Sequence, residues 1–210
     1  MLAETVSLPT VVPRRLPRLP AREPAWPAQG EWTFEDYKRL PDDGRRYEII
    51  EGVLYVTAAP RLDHQFTAGE IFVALRDCVR EQRLGIVIHA PFEVHLPGIA
   101  RPVQPDVLYI AAERAPGAGA EDFTGAPDLI VEVISPSTAR TDRVVKFSAY
   151  ERAGVREYWL ADPTTRSVEV YALSNDGTFA MAGQYTPGHT LASGVLRDLA
   201  LPVDELFVAE

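Results

Sequence analysis

Two carboxylates stand where an ionised group is costly. Glu132 lies in the middle of "PDLIVEVI", with Leu129, Ile130 and Val131 before it and Val133 and Ile134 after it. Such a run reads as a strand buried on both faces, and an acid moved into it from water is strongly disfavoured unless a partner compensates. Asp106 repeats the pattern upstream: it follows Pro105 and opens the apolar stretch Val107, Leu108, Ile110. Two neighbouring strands would each deliver one acid from a buried run. The chemistry suited to that pairing is retention of a hard divalent cation, because Mg²⁺ is usually held by a few carboxylates, with water and phosphate oxygens completing its shell. For either acid alone, hydrogen bonds from backbone amides or Arg are the competing explanation. A glycosidase also uses paired acids, so the acids by themselves do not decide the reaction.

A lysine supplies the third element. Lys occurs only at positions 38 and 146, and the other 19 of the 21 basic residues are Arg. Arg serves a plain ion pair well, whereas Lys brings a compact charge whose pKa responds to its surroundings. Lys146 falls one helical turn after Asp142 and one turn before Tyr150. An Asp142–Lys146 surface pair is the plain alternative.

These groups need elements to hold them. "TFEDYKRL" predicts a short helix with Thr33 as N-cap and Asp36 three residues on. "RRYEIIEGVLYVT" predicts a hairpin, with strands near 46–50 and 53–57 and Glu51-Gly52 as its turn. Apolar positions at Phe66, Ile71, Phe72, Leu75 and Val79 predict an amphipathic helix over 63–83, stopped near Gly85. Strands are expected at 86–96, 104–111, 128–134 and 156–162, with a Gly/Ala/Pro-rich loop over 113–125. "SPST" predicts the start of a helix running to about 152, with Ser135, Ser137 and Thr138 as caps and Gly154 as its stop. "VEVYAL" and "TFAMAGQY" predict a second hairpin about Asn175-Asp176-Gly177. Helices mixed with strands and hairpins imply an α/β fold, a mixed sheet flanked by helices.

In these segments the chain resembles the PD-(D/E)XK nuclease superfamily, and more narrowly the Uma-type family of restriction-endonuclease-like proteins. The resemblance spans roughly residues 32–207. It is carried in order by "WTFEDYKRLPDDGRRYEIIEG", "QPDVLYI", "PDLIVEVISPST", "DRVVKFSAYERAGVREYWLADP" and "VEVY". It implies a restriction-endonuclease-like mixed sheet with additional hairpins. It also implies Asp106 and Glu132 as metal ligands, Lys146 as the catalytic lysine and Glu48 as a further acid of the site. In the superfamily pattern the lysine stands two residues after the acid, and here that position is Ile134. The amine must therefore arrive from the following helix.

The reaction so implied is Mg²⁺-dependent hydrolysis of phosphodiester bonds, with Mn²⁺ as a substitute and DNA rather than RNA as substrate. Lys146 would orient or deprotonate the attacking water, or stabilise charge on the phosphate. The alternative is a catalytically silent protein that keeps the fold for binding or interaction. His64 is a further candidate, at the start of the long helix and facing the same cleft, with a cap or surface role as its plain explanation. His89 and His95, expected on one strand, are too far apart to share a metal.

Bulk properties set the remaining bounds. The net charge of −9 argues against a broad electrostatic grip on nucleic acid, so a polyanion site must be local or rely on a bound cation. Residues 1–30 carry six prolines with Arg14, Arg15, Arg18 and Arg22 between them, which predicts a flexible segment ahead of a single domain over 31–210. No 18-residue apolar run suggests a membrane span, and no basic, apolar and small-residue sequence marks a signal peptide. The single Cys78, read as a packed thiol, fits a reducing cytoplasm. The apolar "VEVYAL" is a candidate edge for a homodimer. The sequence holds no Ser/His/Asp arrangement, glycine-rich phosphate loop or Cys/His zinc spacing.

Overall fold

A computed structural model describes residues 25–208 of the chain. Of the Pro/Arg-rich segment 1–30, expected to be flexible, residues 1–24 lie outside the described residues. The fold starts with α1 (Phe34–Tyr37), where the Thr33 side chain accepts from the Asp36 amide and the Asp36 carboxylate accepts from the Thr33 amide. This reciprocal cap satisfies two donors that a helix start leaves open. Next comes the hairpin β1 (Arg46–Ile50) and β2 (Val53–Thr57). Its turn needs left-handed backbone at Glu51 and Gly52, which Gly adopts without steric cost. A side chain at Gly52 would also collide with the Gly30 carbonyl. Here the chain before α1 docks: the Gly30 and Trp32 amides donate to the Gly52 carbonyl, and Gln29 bonds the Leu54 backbone.

Helix α2 (Leu62–Gln82) buries Thr67, Ile71, Leu75 and Val79, spaced four apart along one face. It ends before Gly85, where the sequence placed the stop. Arg83 takes the left-handed conformation and closes the helix, and Gly85 begins the next strand. The strand expected over 86–96 is two strands, β3 (Gly85–His89) and β4 (Glu93–Leu96), separated at Ala90–Phe92 and assigned to different sheets. Proline lacks an amide to donate, so Pro91 interrupts a ladder that hydropathy alone continues. The remaining strands are β5 (Ala100–Val103), β6 (Val107–Ala111), β7 (Asp122–Thr124), β8 (Leu129–Val133), β9 (Glu157–Asp162), β10 (Ser167–Leu173), β11 (Phe179–Tyr185), β12 (Thr190–Ala192) and β13 (Ala200–Pro202). β7 lies inside the segment read as a loop, where its three residues offer too little pattern to detect.

Among the described residues the strands form three sheets, ordered β2-β1-β5-β4-β7, β11-β10-β9-β8-β6-β3 and β12-β13. The six-stranded sheet is mixed: β8 and β9 run parallel while β6 and β8 run antiparallel. Side chains alternate across it. Leu129, Val131 and Val133 enter one core with Ile71, Leu75 and Val79 of α2 and the C-terminal Val203 and Leu206. Ile130 and Ile134 enter the other, with Tyr150, Val94 and Leu96. Each fully buried Leu, Ile or Val contributes roughly 1.5–3 kcal/mol relative to exposure, so both faces of β8 are committed to packing. This is the double burial that makes an acid in that strand conspicuous.

The two large sheets meet where β5 runs into β6 through Gln104-Pro105-Asp106. There the Ala90 amide donates to the Asp106 carbonyl and ties the corner together. After β8, the Ser135 and Thr138 hydroxyls bond each other's backbone amides in a tight turn. The helix that follows is not regular: Thr141–Lys146 is wound as a π-helix, and α3 proper is Phe147–Ala153. Gly154, in left-handed backbone, ends it, as expected.

Candidate active site at the junction of the sheets

Val107 of β6 pairs with Val131 of β8, so the next rung of the ladder brings Asp106 opposite Glu132. Residues opposed across antiparallel strands share a face. That face is the one covered by the π-helical turn and α3. The third acid, Glu48, comes from β1 in the other sheet, and its Oε1 accepts the Gln104 amide at 2.7 Å, directly at the corner. Lys146 comes from the π-helical turn. Its Nζ lies 3.0 Å from Glu132 Oε1, 3.0 Å from Glu48 Oε2 and 3.8 Å from Asp142 Oδ1. π-turns commonly mark functional sites; here the wide turn carries both Asp142 and Lys146 inward. Glu48, Asp106, Glu132, Asp142 and Lys146 are each 2–4% exposed, and together they line a cleft of about 250 Å³.

The superfamily lysine position is filled by Ile134, which packs into the α3 core. The amine reaches Glu132 from Lys146 instead. The plain alternative, a surface pair with Asp142, does not describe it, because both side chains are buried.

Asp106 is tightly held. Arg46 donates to its Oδ1 at 2.8 Å and the Val133 amide to its Oδ2 at 2.9 Å. His64 Nε2 lies 3.2 Å from that second oxygen. Burial alone would push this carboxyl up, but His64 and the Arg46 guanidinium overcome it and hold Asp106 below the usual carboxylate range. Glu132 behaves oppositely. Burial and the nearby Asp106, Asp142 and Glu48 push it well up, although Lys146 opposes them. Lys146 itself would be driven down by burial, yet Glu132, Glu48 and the other acids reverse this and keep it an ammonium. Both directions have one cause: four buried acids outnumber the permanent cations Lys146 and Arg46. Tyr150 adds a neutral donor, its hydroxyl 2.8 Å from Glu132 Oε1.

Arg46 was not singled out by the sequence reading, although its spacing carried a signal. It lies two residues before Glu48 on β1, hence on the same strand face. His64 does face the cleft, and its Nδ1 is buried without a partner. His89 and His95 are separate: His89 packs against Phe72, whereas buried His95 bonds Glu93 and accepts from Arg101.

Can these residues hold a cation? Among the described residues, no three His, Cys, Asp or Glu side chains converge as a ready-made cage. Mg²⁺ does not require one, since it usually keeps several waters and takes one or two carboxylates. The donor set is all oxygen, and the excess of buried negative charge is the electrostatic setting a hard dication suits.

The comparisons with known proteins agree with this fold. The model of the Uma2 family, described as "Putative restriction endonuclease", matches residues 34–204. The chain belongs to that family. A solved structure described as "a putative nuclease belonging to DUF820 from Anabaena variabilis ATCC 29413" superposes with a TM-score of 0.70 at 22% identity, covering 83% of this chain and 97% of that one. At that identity the likeness speaks for the fold, which is the mixed α/β architecture expected. No curated protein sequence matches the chain. No helix among the described residues is long and apolar enough to cross a membrane.

Proposed function

We propose that this protein is a Mg²⁺-dependent endonuclease that hydrolyses phosphodiester bonds of DNA, with Mn²⁺ able to replace Mg²⁺. The observation that carries the reading is the convergence of Glu132 and Glu48, from strands of two sheets, on the one amine of Lys146, with Asp106 on the rung beside Glu132. Membership in the Uma2 family supports it. Asp106 and Glu132 would hold the cation, which when bound supplies polarisation of the phosphate and acidification of water.

The chain's own groups have distinct tasks. Lys146, kept as an ammonium by its acids, orients the phosphate and stabilises the charge that builds on its oxygens, rather than taking a proton from water. Glu48 fixes the amine from one side while anchoring the Gln104 amide. Tyr150 and Lys146 both bond Glu132 Oε1, which orients that carboxylate. Arg46 balances Asp106 at the mouth of the cleft.

The test is cleavage of plasmid and oligonucleotide DNA with Mg²⁺ or Mn²⁺, and with EDTA. Wild type should cut only with metal, and Asp106→Ala, Glu132→Ala and Lys146→Ala should not cut. Equal activity in all three variants would sink the reading. A second reading, a catalytically silent binding protein that retains the fold, draws on one observation: both oxygens of Asp106 already have partners. On that reading calorimetric titration with Mn²⁺ shows no site weakened by Asp106→Ala.

A further inference from the structure

The acid cleft opens off the middle of a longer track. Arg46 and Ala58 line the cleft of about 250 Å³, and they also line cavities of about 600 Å³ and about 400 Å³. The smaller of these two runs over Ser135–Thr138. The larger is walled by α1 and the start of β1, with Tyr37, Lys38, Arg45, Arg46, Tyr47 and Gln104 around it and Asp42 as its acid.

We propose that this larger cavity receives the nucleotide flanking the reacting phosphate of an unpaired strand, so that the substrate class is single-stranded nucleic acid rather than intact duplex. The proposal rests on the nuclease reading above and narrows it. Its size falls in the range of small-ligand sites. Its charge is local and of the right sign. On a chain of net charge −9 it gathers Lys38, Arg45 and Arg46, whereas Glu35 and Asp43, which pair with Lys38 and Arg45, lie outside the lining. Those pairs are exposed and weak, so a phosphate can displace them. Partly buried Tyr37 lines it together with the exposed Arg45 guanidinium, which lies 5.9 Å from the centre of the buried Tyr47 ring, so an aromatic side chain and a planar cation stand where an unpaired base can stack.

The depth of the acids points the same way. Glu132 and Glu48 are 2% exposed at the base of a narrow cleft. A duplex carries its phosphates on a stiff surface and must unpair to send a nucleotide into a pocket. A flexible single strand can turn a phosphate inward at Arg46 while its flanking nucleotides occupy the two cavities.

The experiment is fluorescence anisotropy with the full chain in Ca²⁺, using a labelled single-stranded oligonucleotide and the blunt duplex of the same sequence. The single strand should bind about tenfold or more tighter than the duplex. Lys38→Glu and Arg45→Glu, both at exposed positions, should each weaken single-strand binding by about tenfold. Arg152→Glu, on the far end of α3, should leave it unchanged, and circular dichroism should show all variants folded. Duplex binding as tight as single-strand binding, single-strand binding indifferent to both reversals, or binding of neither probe overturns the proposal. Failure of the nuclease reading shows separately, as cleavage that survives Asp106→Ala. A wild type that cuts duplex in preference to single strand keeps that reading and removes this one.

Discussion

Lys146 and Glu132 are 14 residues apart in the chain and 3.0 Å apart at their charged ends. The helix after β8 folds back so that its π-helical turn covers the buried acid. Glu48, from the other sheet, approaches the same amine equally closely. A single side chain therefore joins two sheets and a helix, and it neutralises part of the charge each brings.

Replacing that amine should damage folding as well as activity. In Lys146→Met the stem is kept and the charge lost, leaving Glu48, Glu132 and Asp142 buried with less compensation. Removing one partner of a buried ion pair typically costs about 3–5 kcal/mol. Urea unfolding followed by circular dichroism should show a loss of that order, together with absent cleavage. A variant as stable as wild type would mean that the acids hold protons instead.

Glu132→Gln separates charge from shape. The folded Glu132 holds its proton more tightly than its ordinary value of 4.5, through burial and the adjacent acids. Its contribution to stability is complete below pH 4.5 and declines as pH rises through the folded value, because the unfolded chain releases the proton first. The Gln variant lacks this decline. Between pH 4.5 and neutrality its unfolding free energy should fall less steeply than that of wild type, while cleavage disappears. Parallel pH profiles would exclude Glu132 as the source of the slope.

Much of this site was legible because burial and charge conflict. Glu132 and Asp106 stood out as acids in apolar runs, and Lys146 as one of two lysines. What one-dimensional spacing could not carry was the corner at Gln104–Asp106, which brings Glu48 and Arg46 from a second sheet onto the acids. It also could not carry the π-turn, since 3.6-residue periodicity assumes regular winding. The strand over 86–96 was misread for a related reason: apolar residues continue on both sides of Pro91, yet β3 with His89 and β4 with His95 belong to different sheets. Hairpins were read well because Glu51-Gly52 and Asp176-Gly177 specify turns locally.

Tyr150→Phe tests the orientation of Glu132 at low structural cost. The ring is buried and its hydroxyl donates to Glu132 Oε1 at 2.8 Å. Loss of a hydrogen bond to a charged or partly charged acceptor costs about 1–2 kcal/mol. Chemical unfolding should register that loss, and single-turnover cleavage should slow yet persist, unlike the inactive Glu132→Gln. Complete inactivation by Phe would assign the hydroxyl a direct part in the reaction.

Asp106→Asn should reverse the pH behaviour seen at Glu132. Asp106 is held below its ordinary value of 3.8, with His64 and Arg46 outweighing burial. Its stabilising contribution is therefore complete above pH 3.8 and is lost as pH falls through the folded value, where the native carboxylate must finally take a proton. Asn forfeits the contribution at every pH and leaves Arg46, half enclosed, without its charge partner. At neutral pH the variant should be less stable by about 3–5 kcal/mol. On acidification below 3.8 the gap to wild type should narrow, because the wild-type carboxylate then loses its advantage. Thermal unfolding at pH 7 and at pH 2–3 follows the narrowing, which is partial at the lower pH. A gap that stays constant between them would show that Asp106 acts through its hydrogen-bond geometry to the Val133 amide, with its charge contributing little.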